Sequence, residues 1–385
     1  MARSVMARSV LRIALVSDAV YPYSKGGKET RLYQLSTRLA TAGHDVHIYT
    51  MHWWDGAETT RRENGVTLHA ICRRHALYAG GRRSIRQGLL FGLACWKLIS
   101  ERFDVLDVDQ IPFFPLFPLR IISWLKRRPL IATWHEVWGR LYWQEYLGRA
   151  GWIAYAIERC SIHLPSRLIT VSSLTTARAG SMMRHTNRIA HIANGIDFNH
   201  ISRIKPAKAG ADIIYVGRLI EHKHVDVLLE ALAIIARHSP NIACLIVGDG
   251  PERASLEAQA ERLGIANNVA FVGFIPDHDD VLASIKSSRV FVLPSTREGF
   301  GISLLEAYAC GRPAVTINHP DNAARELISP ETGRLAELSA TSLAQQLADL
   351  LTKPLDSHAI TSIARRHDWS EATRQLLNLY ESLEP

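Results

Sequence analysis

Two rhythms alternate along this chain. Short apolar runs of the kind that form strands buried on both faces are followed by longer stretches with apolar residues at every third or fourth position. Leu11–Ser17 is the first such strand, and Asp18 and a loop containing Gly26-Gly27 follow it. Thr30–Gly43 places Leu32, Leu35 and Leu39 on one helical face and stops at a glycine. His44–Thr50 is the next strand, so the chain opens β-α-β and the sheet is parallel. Strands are then predicted at Val66–Ile71, Asp104–Asp109, Pro129–Thr133, Arg167–Ser173 and Ile189–Ile192. Helical stretches fall at Gly88–Arg102 and Val137–His163. Positions 202–211 are polar and lack apolar periodicity, which reads as a linker. A second series follows, with strands at Asp212–Val216, Ala243–Val247, Val269–Val272, Val290–Leu293 and Ala314–Ile317. Its helices are Val225–Arg237, one from Gly250 to Leu263, one near Asp279–Ser287, Ser342–Leu351 and Trp369–Leu383. The pattern is two α/β halves.

Length agrees, because 385 residues exceed what one hydrophobic core usually serves. No apolar run reaches the roughly 18 residues of a membrane-spanning helix, and Ile111–Leu125 carries three prolines and an arginine. The repeated opening, M-A-R-S-V-M-A-R-S-V, lacks a signal peptide's apolar core and reads as a second start or a cloning remnant. The five cysteines are scattered and never C-x-x-C, which points to reduced thiols in a cytoplasm and to neither a zinc site nor a disulfide framework.

Charge changes the picture more. Residues 1–200 hold 27 Lys and Arg against 14 Asp and Glu, whereas 201–385 hold 18 against 23. The first half therefore meets something anionic that the second does not. Arg73, Arg74, Arg82, Arg83, Arg86 and Lys126-Arg127-Arg128 are interleaved with Trp124, Trp134, Trp138, Trp143 and Trp152. Core helices with solvated charges account for this, and so does a face that rests on an anionic membrane surface. No motif supports nucleic acid as the partner.

Candidate chemistry concentrates in Leu293–Gly311, L-P-S-T-R-E-G-F-G-I-S-L-L-E-A-Y-A-C-G. Glu298-Gly299-Phe300-Gly301 is a glycine loop between a buried strand and a helix, and Ile302 and Ser303 begin that helix. Such a junction binds anions, since unpaired N–H groups and the positive helix end face outward and glycine admits close approach. Glu298 and Glu306 flank it, and carboxylates suit sugar hydroxyls rather than phosphate. A sugar–diphosphate–ribose ligand fits the layout. Gly217-Arg218 and Lys223 follow another strand of the same half, where open α/β folds bind ligands and cations hold phosphate.

The stretch from Glu298 to Pro313 resembles the E-x7-E signature of retaining glycosyltransferases of the group 1 or family 4-like type. These enzymes have two Rossmann-like, doubly wound domains facing a cleft, the GT-B fold. The resemblance implies an acceptor-side domain over 1–203, a donor domain over 204–366, and a last helix, 367–385, that crosses back. It implies that Glu298 meets the donor sugar, that Glu306 meets the ribose, and that Arg218 and Lys223 hold the diphosphate with Gly217 and the Gly299–Ser303 N–H groups. Phe274 would stand near the nucleotide base, and Gly26 and Gly27, flanked by Lys25 and Lys28, near phosphates and acceptor. His135, past the strand of A-T-W-H-E, would contact the donor sugar at the reacting centre. Gly248-Asp249-Gly250-Pro251 and Asn194-Gly195-Ile196-Asp197 match further motifs, the latter read as structural.

The implied activity is transfer of a sugar from a UDP- or GDP-sugar to an acceptor hydroxyl on a lipid-linked or cell-surface glycan precursor. The nucleotide sugar is a substrate, and neither a cofactor nor a metal is expected. A nucleotide-sugar epimerase or a non-catalytic sugar-nucleotide-binding protein would use the same donor residues. Two positions depart from the family pattern. His224 follows Lys223 where glycine is usual, and Asn318–Glu326 lacks the family's glycines while keeping Glu326 in register.

Overall fold

The protein's structure, a computed structural model, describes residues 10–79 and 82–383. The repeated start lies outside the described residues, as do Gly80 and Gly81. The chain divides into two compact units, with boundaries at Ala193/Asn194 and Glu371/Ala372; the segment from Ala372 belongs with the first unit.

In the first unit the strands are β1 (Arg12–Val16), β2 (Asp45–His52), β3 (Thr60–Glu63), β4 (Val66–Arg73), β5 (Tyr78–Ala79), β6 (Arg82–Arg83), β7 (Val105–Asp109), β8 (Leu130–Trp134), β9 (Arg167–Thr170) and β10 (Ile189–His191). Eight form one sheet in the order β10-β9-β8-β7-β1-β2-β4-β3, parallel except for β3 on β4. β5 and β6 make a separate hairpin. The helices are α1 (Gly27–Thr41), α2 (Ile85–Ala94), α3 (Leu116–Lys126), α4 (Gly139–Leu147), α5 (Gly151–Ser161) and α6 (Ser173–Met182). β8 is buried at every position, as a central strand covered on both faces must be.

The second unit opens with α7 (Phe198–Arg203), which packs on the helix after the glycine loop. Its strands, β11 (Ile213–Val216), β12 (Cys244–Val247), β13 (Val269–Gly273), β14 (Val290–Leu293), β15 (Ala314–Ile317) and β16 (Gly333–Ala336), form a parallel sheet in the order β13-β12-β11-β14-β15-β16. Its helices are α8 (Val225–Ala236), α9 (Arg253–Arg262), α10 (His278–Ser287), α11 (Ile302–Ala309), α12 (Ala340–Thr352) and α13 (Ser357–Arg365). A last helix, α14 (Trp369–Glu381), ends in the first unit, where the buried Tyr380 hydroxyl donates to Asp107 on β7 at 2.6 Å.

Several boundaries differ from the sequence expectation for local reasons. α1 starts at Gly27, so the glycine pair is the helix N-terminus itself. Gly88–Arg102 splits into α2, capped by the Ser84 hydroxyl, and a 3-10 turn over Cys95–Ile99. Val137–His163 breaks at Gly148, whose φ of 57° and ψ of −129° lie outside helical space, and α5 then folds back so closely that a Cβ on Gly151 would sit 2.2 Å from the Trp143 carbonyl. Of the tryptophans read as a membrane-facing set, Trp134 and Trp143 are buried, whereas Trp124 and Trp152 are exposed.

Candidate functional site

Each sheet has a point where strand order reverses, and open α/β sheets bind ligands beyond the carboxyl ends of the strands there. In the second unit β11 lies between β12 and β14. Gly217-Arg218 leaves β11 and the loop to Glu298 leaves β14, so the two predicted donor motifs emerge from neighbouring strands.

The glycine loop is tightly determined. Gly301, with φ of 96°, precedes α11, and a Cβ there would stand 2.6 Å from the Ala324 Cβ. The N-cap residue of α11 is Gly301, which has no side chain to cap the helix, and Ile302 and Ser303 follow it directly in the first turn. Glu298 N–H donates to the Asp321 carbonyl at 3.2 Å, and its own carbonyl accepts from Ala323 at 2.9 Å. The segment that lacks the family's glycines is thus bridged to the glutamate loop. Asn322 holds it: the buried amide donates to Thr316 Oγ1 at 3.0 Å and to the Ile317 carbonyl at 2.8 Å, and accepts from Ala324 N–H.

Lys223 lies in a 3-10 turn, Glu221–Lys223, and its Nζ reaches Glu298 Oε1 at 2.5 Å with both side chains mostly buried. His224 takes the left-handed backbone conformation, φ 48° and ψ 45°, that glycine adopts without cost. Its Nε2 lies 2.9 Å from Thr296 Oγ1, and Thr296 N–H donates to the His222 carbonyl at 3.1 Å, which ties the lysine turn to the glutamate loop. Arg218 is exposed, with its carbonyl bonded by the Tyr215 hydroxyl at 2.9 Å. A Cβ on Gly217 would meet that hydroxyl at 2.7 Å. The Gly-Asp-Gly-Pro turn packs on this loop, since a Cβ on Gly248 or Gly250 would overlap the carbonyls of Gly217 or Leu219. Glu306 is buried on α11 and bonded by His278 Nε2 at 2.8 Å, a partner that sequence reading missed. Phe274 presents an exposed ring just past β13, whereas Phe300 is buried.

In the first unit the reversal lies at β1, between β2 and β7. Three strand ends meet there: Asp18 after β1, Asp109 ending β7 and His135 after β8. His135 Nε2 lies 3.0 Å from Asp109 Oδ1, and its N–H is held by the Gln110 side chain. Lys28 Nζ lies 2.6 Å from Asp18 and 3.9 Å from Asp109, and also donates to Ser17 Oγ. Arg83 and Gln87 complete the surroundings of the fully buried Asp18 carboxylate at 2.8 and 3.1 Å. Burial works against the Asp109 charge, yet the hydrogen bond from His135 and the Lys28 ammonium hold it below the usual carboxylate range. Burial opposes the Lys28 charge, and Asp18, Asp109 and Glu29 together outweigh it, leaving the lysine above its ordinary value. Lys28, which flanks the glycine pair, is therefore engaged with Asp18, Asp109 and Ser17 in the interior of the first unit. Gly26 is extended at φ −166°, a conformation open to any residue, so its need for glycine is slight. Asp18 and Asp109 were missed because each is a lone carboxylate at the end of its own strand. Among the described residues no group of three or more His, Cys, Asp or Glu is arranged to hold a metal.

Residues 25–200 match the family described as Glycosyltransferase Family 4, and residues 198–376 the family described as Glycosyl transferases group 1. The phosphatidyl-myo-inositol mannosyltransferase of Mycobacterium tuberculosis is 33% identical over 94% of this chain and 96% of its own length. The GDP-mannose-dependent alpha-(1-6)-phosphatidylinositol dimannoside mannosyltransferase of the same species is 26% identical over 95% of each. Among solved structures, sucrose-phosphate synthase from Thermosynechococcus elongatus superposes with a TM-score of 0.77 at 19% identity, covering 96% of this chain and 98% of that one. That likeness shows the fold, two Rossmann-like parallel-sheet α/β domains of the GT-B class.

Proposed function

Because the chain belongs to the group 1 glycosyltransferases, with a first half of the family 4 type, its work is transfer of sugar from a nucleotide-sugar donor, and we propose that the transfer retains anomeric configuration and needs no metal. The donor is a UDP- or GDP-sugar. The acceptor is a hydroxyl of a lipid-linked or cell-surface glycan precursor, met by a cytoplasmic enzyme at an anionic membrane surface. Two relatives whose names specify phosphatidylinositol acceptors support that choice.

The observation that carries the reading is the Lys223–Glu298 pair beside the uncapped start of α11. Arg218, Lys223 and the Gly299–Ser303 N–H groups bind the diphosphate and take up the charge that grows as it departs. Preorganised donors stabilise most where charge develops. Glu298 orients the sugar ring and Glu306 the ribose. In this reading the anomeric carbon–phosphate oxygen bond breaks, the acceptor oxygen attacks from the same face, and its proton passes to the leaving phosphate. His135, held by Asp109, contacts the sugar near the reacting centre.

A thermal-shift screen of UDP-, GDP- and ADP-sugars identifies the donor, because a matched ligand stabilises by mass action. Proton NMR of the first product formed with that donor then reads the anomeric configuration, in buffer with and without EDTA. An inverted product overturns retention, and loss of turnover in EDTA that magnesium restores overturns metal independence.

A further inference from the structure

Helices α2 and α3 pack on each other and on the 3-10 turn Cys95–Ile99, and each carries its apolar stripe on the wrong side for a solvated helix. α2 turns Gln87, Gly88, Phe91 and Gly92 inward. The two glycines are required there, because a Cβ on either would press on Phe114 or Pro112 at about 3 Å or less. The outward side of α2 is then Ile85, Leu89 and Leu93, at i, i+4 and i+8, and Trp96 follows on the 3-10 turn, all four exposed. α3 repeats the arrangement. Leu116, Leu119 and Ile122 are buried, and Phe117, Ile121, Trp124 and Leu125 face out. Leu93 is 64% and Trp124 72% exposed, so neither is a core residue merely grazing the surface.

Charge decides what covers this face. Neither helix contains an aspartate or glutamate, and Arg86, Arg120 and Lys126-Arg127-Arg128 border the stripes. The carboxylates on the following segment are already engaged: Glu101 accepts from the Tyr49 hydroxyl, and Asp104 accepts from the Arg12 backbone N–H and pairs with Arg128 at 3.3 Å. Two copies of this face placed together would set like-charged rims against each other. An apolar ridge with a cationic border matches the boundary of an anionic bilayer, where tryptophan and leucine enter the acyl edge and guanidinium groups meet phosphate.

We infer that the α2–α3 face docks the enzyme on anionic lipid bilayers. The inference deepens the reading of a membrane-borne acceptor and can be tested apart from it, since docking requires no donor or acceptor. The full chain is floated with phosphatidylcholine vesicles with and without phosphatidylglycerol. Flotation with the anionic vesicles, weakened by salt, is expected. Lys126→Ser/Arg127→Ser should weaken it by at least tenfold, at several-fold per cation. Leu93→Ser and Trp124→Ser should each weaken it several-fold, with circular dichroism and transfer to a water-soluble acceptor unchanged. Wild-type protein that stays unbound, or folded variants that float like wild type, overturn the inference. So does self-association in ultracentrifugation that Trp124→Ser abolishes while vesicle binding persists, because the face then belongs to a second copy. Failure of flotation with transfer intact leaves the proposed reaction standing.

Discussion

Lys223 and Glu298 stand 75 positions apart in the chain and form an ion pair of 2.5 Å in the structure. The pair joins the turn after β11 to the loop after β14, so the cation proposed to hold the diphosphate and the carboxylate proposed to meet the sugar hydroxyls lie side by side. Lys223→Ala is expected to lower kcat by about 10²–10³-fold, the scale of losing one preorganised donor to developing charge. Arg218→Ala should act in the same direction with an unchanged far-UV spectrum. Near-wild-type turnover in both variants rejects the phosphate site.

His224 supports that lysine through its backbone. At φ 48° it occupies the left-handed region, and its ring bonds Thr296. His224→Gly should change unfolding free energy by no more than about 1 kcal/mol, since glycine relieves the conformation while the ring contact is lost. His224→Val should cost about 2 kcal/mol or more, because a β-branched residue is strained there. Urea unfolding of the two variants tests the contrast, and equal stabilities would refute the account.

Much of this molecule was legible in its residues, and the gaps have physical causes. β14 matches its apolar run at both ends because Val290–Leu293 is buried throughout. β3 escaped because Thr-Arg-Arg-Glu lies on an exposed sheet edge, where pairing is by backbone alone. The His135 neighbourhood was half visible. Its strand ends in an apolar run, but Asp18 and Asp109 become meaningful only when β1 and β7 pair. His224 looked like a departure from the pattern, while the structure preserves glycine's backbone angle with a different side chain.

Asp107 makes stability depend on pH in a definable way. Burial pushes its carboxyl up to about 7, against the pull of the Tyr380 hydroxyl and the Arg31 guanidinium. In the unfolded chain it titrates near its ordinary value of about 3.9. Between these values the folded state holds a proton that the unfolded state has lost, so this contribution to stability falls as pH rises from about 4 to about 7. Asp107→Asn removes the titration. The wild-type minus variant difference in unfolding free energy should therefore decline by on the order of a few kcal/mol from pH 4.5 to pH 8. Parallel curves across that range would show that the carboxyl titrates alike in both states.

Gly301 and Gly26 both sit at helix starts, and the structure separates them. At Gly301 a methyl group meets two obstacles: the positive φ of 96° and the Ala324 Cβ at 2.6 Å. Gly301→Ala should cost about 2–4 kcal/mol, combining left-handed strain with overpacking. It should also raise KM for the donor, because Ala324 belongs to the segment bridged to Glu298. At Gly26 the backbone is extended and the nearest obstacle is the carboxylate end of Glu29, a side chain that can turn aside. Gly26→Ala should cost less than about 1 kcal/mol. Thermal unfolding and donor titration of the two variants decide the matter. If Gly301→Ala is as mild as Gly26→Ala, the close packing of the glutamate loop on Ala324 does not hold it in place.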